Sequence, residues 1–223
     1  MAGGITHQHH GSSEGITAIG IDVGGQRKGF HAVALTAGRY SSHCVSPQVS
    51  TVVEWCHNLN GTVIAVDAPC RWSRDGRARP AERQLMAQSI WCFSTPTRRR
   101  ALEHQKNYYG WMLQGEALFQ ALESSHALCF ELPPPGQKCC FETFPHAITR
   151  QLTNGNTRGT NKRVQRRTLL GLAGIDLGHL TNLDLVDAAL CALRAYYVAA
   201  GKECVCYGES ESGIIIVPKS LHS

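Results

Sequence analysis

Five acidic residues in this chain occupy positions where a carboxylate needs a reason. Asp22 ends the apolar run "TAIGID" and is followed at once by Val23-Gly24-Gly25; Asp67 ends "TVIAVD" just before Ala68-Pro69. Glu142 sits inside "CCFETF", while Asp184 and Asp187 open the apolar stretch "DLVDAALCALRAYYVAAG". Each has an ordinary reading. Asp22 is a turn former, a phosphate-site residue or a metal ligand, and Asp67 before Ala-Pro suits a strand-end turn. Glu142 suits an edge strand, and Asp184 and Asp187, following Thr181 and Asn182, suit a helix N-terminus and its dipole. Their convergence is the alternative. Strand ends that are parallel neighbours lie about 4.8 Å apart, and two carboxylates at that range repel unless a cation intervenes. Mg2+ favours such a pair, because it takes oxygen ligands from one or two carboxylates and fills the rest with water or phosphate.

The elements that must carry these residues are legible as periodicities. After a Gly-, Ser- and His-rich tail at 1–15, three short strand-like runs follow closely: "TAIGID" (17–22), "GFHAVALT" (29–36) and "RYSSHCVS" (39–46). Gly24-Gly25 and Ala37-Gly38 between them suit tight antiparallel turns. Val49, Val52, Val53 and Cys56 keep helical spacing, with Pro47 ahead and Gly61 behind. "TVIAVDAP" (62–69) then reads as a buried strand parallel to the first. A helix-rich, polar stretch occupies about 70–138; in it "RPAERQLMAQSIWC" and "NYYGWMLQGEALFQALES" are helices and "TRRR" (97–100) a polar loop. A further strand (139–145), the helices "HAITRQL", "NKRVQRRTLLGLAG" and "DLVDAALCALRAYYVAAG", and a closing hairpin, "ECVCYG" with "GIIIVP", complete the chain. The expected fold is a single α/β domain over 16–223, with a five-stranded mixed sheet of order 3-2-1-4-5 flanked by helices. In such sheets ligands gather at the carboxyl ends of parallel strands, where Asp22 and Asp67 fall.

Composition narrows the class. With 223 residues, 43% of them hydrophobic, the chain can bury a full core. The net charge of +5, from 22 basic and 17 acidic residues, permits an anionic partner without requiring one. The ten cysteines include no C-x-x-C pair, and Cys56 and Cys191 lie in apolar runs where Cys acts as a small hydrophobe. No apolar run approaches the ~20 residues of a membrane span, and "MAGGITHQHHGSS" has no secretory pattern. A cytoplasmic protein with free thiols is expected. His7, His9 and His10 read as part of the tail.

The motifs "IGIDVGGQRKGFHAVAL", "VIAVDAPCRWS", "RPAERQL", "CFSTP", "FETFPHAI", "KRVQRRTLL", "DLVDAALCALRAYY" and "GIIIVP" resemble the family labelled domain of unknown function 429. That family is described as predicted nucleases of the ribonuclease-H-like superfamily. The resemblance implies a metal-dependent nuclease or phosphodiesterase, with two Mg2+ or Mn2+ ions held by Asp22, Asp67, Glu142 and Asp187, and Asp184 in reserve for Asp187. Its substrate would be a nucleic acid or a related phosphoester. A basic group beside the transferred phosphoryl would stabilise the transition state; the candidates are Arg27, Lys28, Lys162 and Arg166, with Arg163 and Arg167 on the neighbouring helical stripe. A solvated helix face accounts for the same spacing. Arg71, Arg79 and Arg83 flank the Asp67 strand end as a further anionic pocket, and His146 is expected to cap its helix.

Two rivals share these residues. "IGIDVGG" also resembles the phosphate loop of actin-like ATPases and sugar kinases, which require a second glycine-rich phosphate turn that the sequence lacks. A non-catalytic domain of the same fold that binds nucleotide or nucleic acid is the other. Against general nucleic-acid binding stand the modest charge and the absence of a basic face interleaved with aromatics.

Overall fold

A computed structural model describes residues 15–153 and 161–219. The histidine-bearing tail, apart from Gly15, therefore lies outside the described residues. Strands β1 (Thr17–Val23), β2 (Phe30–Thr36) and β3 (Arg39–Ser46) form the expected antiparallel meander. Ala37 and Gly38, with φ of 51° and 75°, make the left-handed pair that a tight hairpin turn requires. Helix α1 (Val49–Asn58) crosses to β4 (Val63–Asp67), which lies parallel to β1.

The segment 70–138 supplies α2 (Pro80–Ala87), α3 (Arg98–Glu103), α4 (Gly110–Leu122) and a two-residue strand β5 (Ala127–Leu128). Here the sequence expectation needs correction: "TRRR" is no loop, because the Thr97 hydroxyl accepts the Arg100 amide and starts α3. Next come β6 (Cys139–Glu142), α5 (Pro145–Leu152), α6 (Lys162–Leu172), α7 (Leu183–Ala199), and the strands β7 (Cys204–Glu209) and β8 (Gly213–Pro218). The sheet runs β3-β2-β1-β4-β6-β8-β7, with β5 also paired to β6. The expected 3-2-1-4-5 order is present with β6 as its fifth strand. The closing hairpin was anticipated, but not that β8 would join β6 in parallel and extend the sheet. This is a mixed α/β arrangement with the sheet flanked by helices.

Strand parity divides the core between the sheet's faces. Ile19, Ile21, Ile64, Val66 and Cys140 pack with Val52 and Cys56 of α1 and Leu118 and Leu122 of α4. Ala18, Val63, Ala65, Cys139 and Phe141 point the other way, onto Cys191 and Ala195 of α7. Cys56 and Cys191 are fully buried, as their apolar neighbours suggest. Among the described residues no helix is long and apolar enough to cross a membrane.

Candidate metal centre

Pairing register assembles the centre. Asp22 is opposite Asp67 on the parallel neighbour β4 and opposite His31 on the antiparallel neighbour β2. All three belong to the face that carries Ala18 and Ala65, so they share the side on which α7 lies. Gly20, two residues before Asp22, sets how close α7 comes: a Cβ there would stand 2.0 Å from the Ala192 nitrogen and 2.1 Å from the Ala188 carbonyl oxygen. Asn182 starts α7 by accepting the Leu185 amide at 2.8 Å, which places Asp184 in the first turn and Asp187 one turn further in. Oxygen or nitrogen atoms of Asp22, His31 and Asp184 lie within 4.8 Å of one another.

The electrostatics are strained in one direction. Burial, and then the charges of Asp187 and Asp184, push the Asp22 carboxyl up to about 7, against the opposing pull of Lys28 and a hydrogen bond from Asp67. Burial, followed by Asp22 and Asp187, raises Asp67 well above the carboxylate range although Arg166 and Lys162 oppose it. Burial also raises Asp187, which the Arg166 guanidinium partly offsets by a direct ion pair. Lys28 donates to Asp184 at 2.6 Å. Four carboxylates thus meet two directly bonded cations, leaving two negative charges when all are ionised. Burial chiefly, and Lys28 after it, lower the pKa of His31 and keep its ring neutral; its buried Nδ1 has no hydrogen-bond partner. Carboxylate oxygens with one neutral imidazole fit Mg2+ or, better with nitrogen present, Mn2+.

The other candidate residues separate. Glu142 does not join this group. Its register partner is Val66, not Asp67, so its side chain leaves the opposite face of the sheet from Asp22 and Asp67. There Arg79 grips both its oxygens, at 2.6 and 2.9 Å, and the Cys70 amide donates to it at 2.8 Å. Arg79 in turn holds Glu82, so its guanidinium is already taken by two carboxylates. Arg71 lies over the Phe130 ring and Arg83 bonds the Ala78 carbonyl. Asp184 is a full member of the cluster and not a substitute for Asp187. Arg166 is buried at 1% exposure, not on a solvated face. Its stripe partner Lys162 is exposed and close enough to lower the pKa of Asp67 and Asp187. Arg163 and Arg167 instead tie α6 to the Thr181, Leu180 and Leu177 carbonyls. Arg27 lines a separate cleft with Lys28, Lys106 and Asn107. His146 is the second residue of α5, where no side chain caps the helix; burial, then Arg166, Arg150 and Lys162, lower its pKa. His31 is the residue that sequence reasoning missed. Its signal was arithmetic: a hairpin turn centred between Val23 and Phe30 puts position 31 opposite position 22.

The chain belongs to the family described as "Protein of unknown function (DUF429)", which it matches over residues 20–212. No curated protein matches it. Among solved structures it is similar to T. thermophilus RuvC in complex with a Holliday junction substrate, at 16% identity and a TM-score of 0.45, over 83% of this chain and 96% of that one.

Proposed function

We propose that this protein is a divalent-cation-dependent phosphodiesterase that hydrolyses nucleic acid, or a phosphoester related to it. One observation carries the reading: Asp22 and Asp67 stand side by side on parallel strands, half-buried, in one cluster with Asp184 and Asp187, with two negative charges left uncompensated when all four are ionised. Carboxylates crowded in this way are a mark of functional sites, and a bound cation would relieve the repulsion. A bound Mg2+ or Mn2+ would polarise a phosphoryl oxygen and lower the pKa of water.

Asp22, Asp67 and Asp184, with the neutral His31, are the residues that would hold the ion. Arg166 fixes the orientation of Asp187 from below and Lys28 that of Asp184 from the solvent side. Lys162, free to swing in solvent beside this pair, is the group that would meet a non-bridging phosphoryl oxygen. One divalent ion balances the residual charge of the site. A second, as a two-metal mechanism needs, would arrive with the anionic phosphodiester.

The test is cleavage of a panel of single-stranded and duplex DNA, RNA and nucleotides in Mn2+ or Mg2+. Turnover is expected, stopped by chelator and reduced at least about 1,000-fold in Asp22→Asn, the scale on which enzymes depend on charge stabilisation at the reacting group. If Asp22→Asn cuts as fast as wild type, the activity resides elsewhere. If no member of the panel turns over, the site binds without cutting.

A further inference from the structure

Among the described residues, the largest exposed aromatic side chains gather on the helical segment 70–138. Trp91, Phe93 and Tyr108 are 72%, 63% and 53% exposed. Phe93 and Tyr108 are not scattered. Phe93 meets Tyr108 edge-on at 6.4 Å and Trp111 at 6.3 Å, and Tyr108 stands perpendicular to Tyr109 at 5.0 Å. Each T-shaped contact sets the edge of one ring against one face of the other, so what Phe93 and Tyr108 offer a ligand is the surface that stays exposed. Phe93 and Trp111 also line a cleft that reaches Asp67 at the end of β4 and holds the Arg79, Glu82 and Glu142 ion pairs of the sheet's other face. On its other side Lys106 and Asn107, immediately before Tyr108, share a cleft with Gly25, Arg27 and Lys28. A basic cleft therefore adjoins an aromatic cluster at Asn107 and Tyr108.

We propose that this surface is a stacking platform for unpaired nucleobases, which makes the substrate of the centre a single strand, or an unpaired stretch, of DNA or RNA. The proposal deepens the phosphodiesterase reading and rests on it for the identity of the reacting group. Every base has a π-face, so exposed aromatic rings bind single strands without sequence preference, while nearby cations track the backbone. A duplex hides those faces in its own stack and cannot use them. The charge arrangement agrees: Arg98 and Arg99 are paired to Glu116 and Glu103, whereas Arg27 and Lys106 line the cleft beside Asn107 and Tyr108, together with Lys28, which is paired to Asp184.

The experiment is fluorescence anisotropy of the full chain with labelled single-stranded dT and rU oligonucleotides and a duplex of equal length, in Mg2+ and again in chelator. Binding of at least one single strand, tighter than the duplex, is expected. Phe93→Ala and Tyr108→Ala should each weaken it roughly 5- to 150-fold, the range for losing one stacked base. Phe93→Tyr should bind like wild type, as should Leu172→Ala, which removes a still more exposed but aliphatic residue. Equal affinity for duplex and single strand, or an unchanged affinity in both alanine variants, overturns the proposal and leaves the patch as a protein-docking surface. Because binding is read without turnover, the two readings fail separately. A chain that binds single strands through Phe93 but never cuts loses only the phosphodiesterase reading. One that cuts, indifferent to Phe93, loses only the platform.

Discussion

Asp22 shows what a single side chain reveals when its surroundings are unfavourable. Its folded pKa, about 7, lies above the ordinary 3.8, so the native state holds a proton that the unfolded chain has released between those values. Stability then falls as pH rises across that window and is fully present only below about 4. The loss amounts to as much as about 4 kcal/mol at 1.36 kcal/mol per pKa unit, and less because Asp67 titrates with it. Asn cannot ionise. In chelator, Asp22→Asn should therefore be more stable than wild type at pH 8, with the advantage shrinking toward pH 4.5, as urea unfolding at the two pH values would measure. A difference that does not change with pH would mean that the carboxylates do not repel. His31 completes the contrast: burial keeps it neutral, so near neutral pH it offers a lone pair where Asp22 offers a half-released proton.

At the scale of elements, the centre depends on how closely a helix approaches a strand. Helix α7 rests on β1 through Gly20, and a methyl group there would overlap the backbone of α7. Gly20→Ala should cost more than about 3 kcal/mol, beyond the usual penalty for an added methylene, because backbone and not a side-chain tip must move. Thermal unfolding checks this, and an alanine variant melting with wild type would show that α7 is not seated there. Sequence patterns revealed such elements where local periodicity decided them: Asp22, Asp67 and Asp187 were placed by strand ends and a helix start. What stayed hidden depended on pairing between distant segments. Glu142 has the right type and an apolar setting, but the β4–β6 register, which no local pattern encodes, matched it to Val66 and sent it to Arg79. Arg166 looked like half of a solvated stripe because its burial is contributed by α7 and not by its own helix. The aromatic platform was overlooked for a related reason. Phe93, Tyr108 and Trp111 are spread over a polar stretch, and only the tertiary fold of 70–138 brings their rings together.

Taken as one molecule, the protein combines a sheet that crowds carboxylates at its carboxyl edge with a helical insertion that sets aromatic rings beside them. On the proposed reading the first feature makes the folded state a cation receptor, and binding to the folded state alone raises stability by mass action. At 100 times the dissociation constant the gain is about 2.7 kcal/mol, and about 2–4 °C per kcal/mol applies to a chain of this size. Saturating Mn2+ should thus raise the melting temperature by roughly 5–11 °C on those two conversions. The pH dependence separates this site from incidental binding. Protons compete with the ion for Asp22 and Asp67, so at a fixed, subsaturating Mn2+ concentration the rise should be larger at pH 8 than at pH 6. His7, His9 and His10 could also take up Mn2+, but uptake that does not discriminate folded from unfolded chain leaves the melting point where it was. Asp22→Asn should lose most of the rise while keeping those histidines. Differential scanning fluorimetry of both proteins at the two pH values decides the matter: an equal rise in wild type and Asp22→Asn would place the cation elsewhere and remove the metal centre from the account.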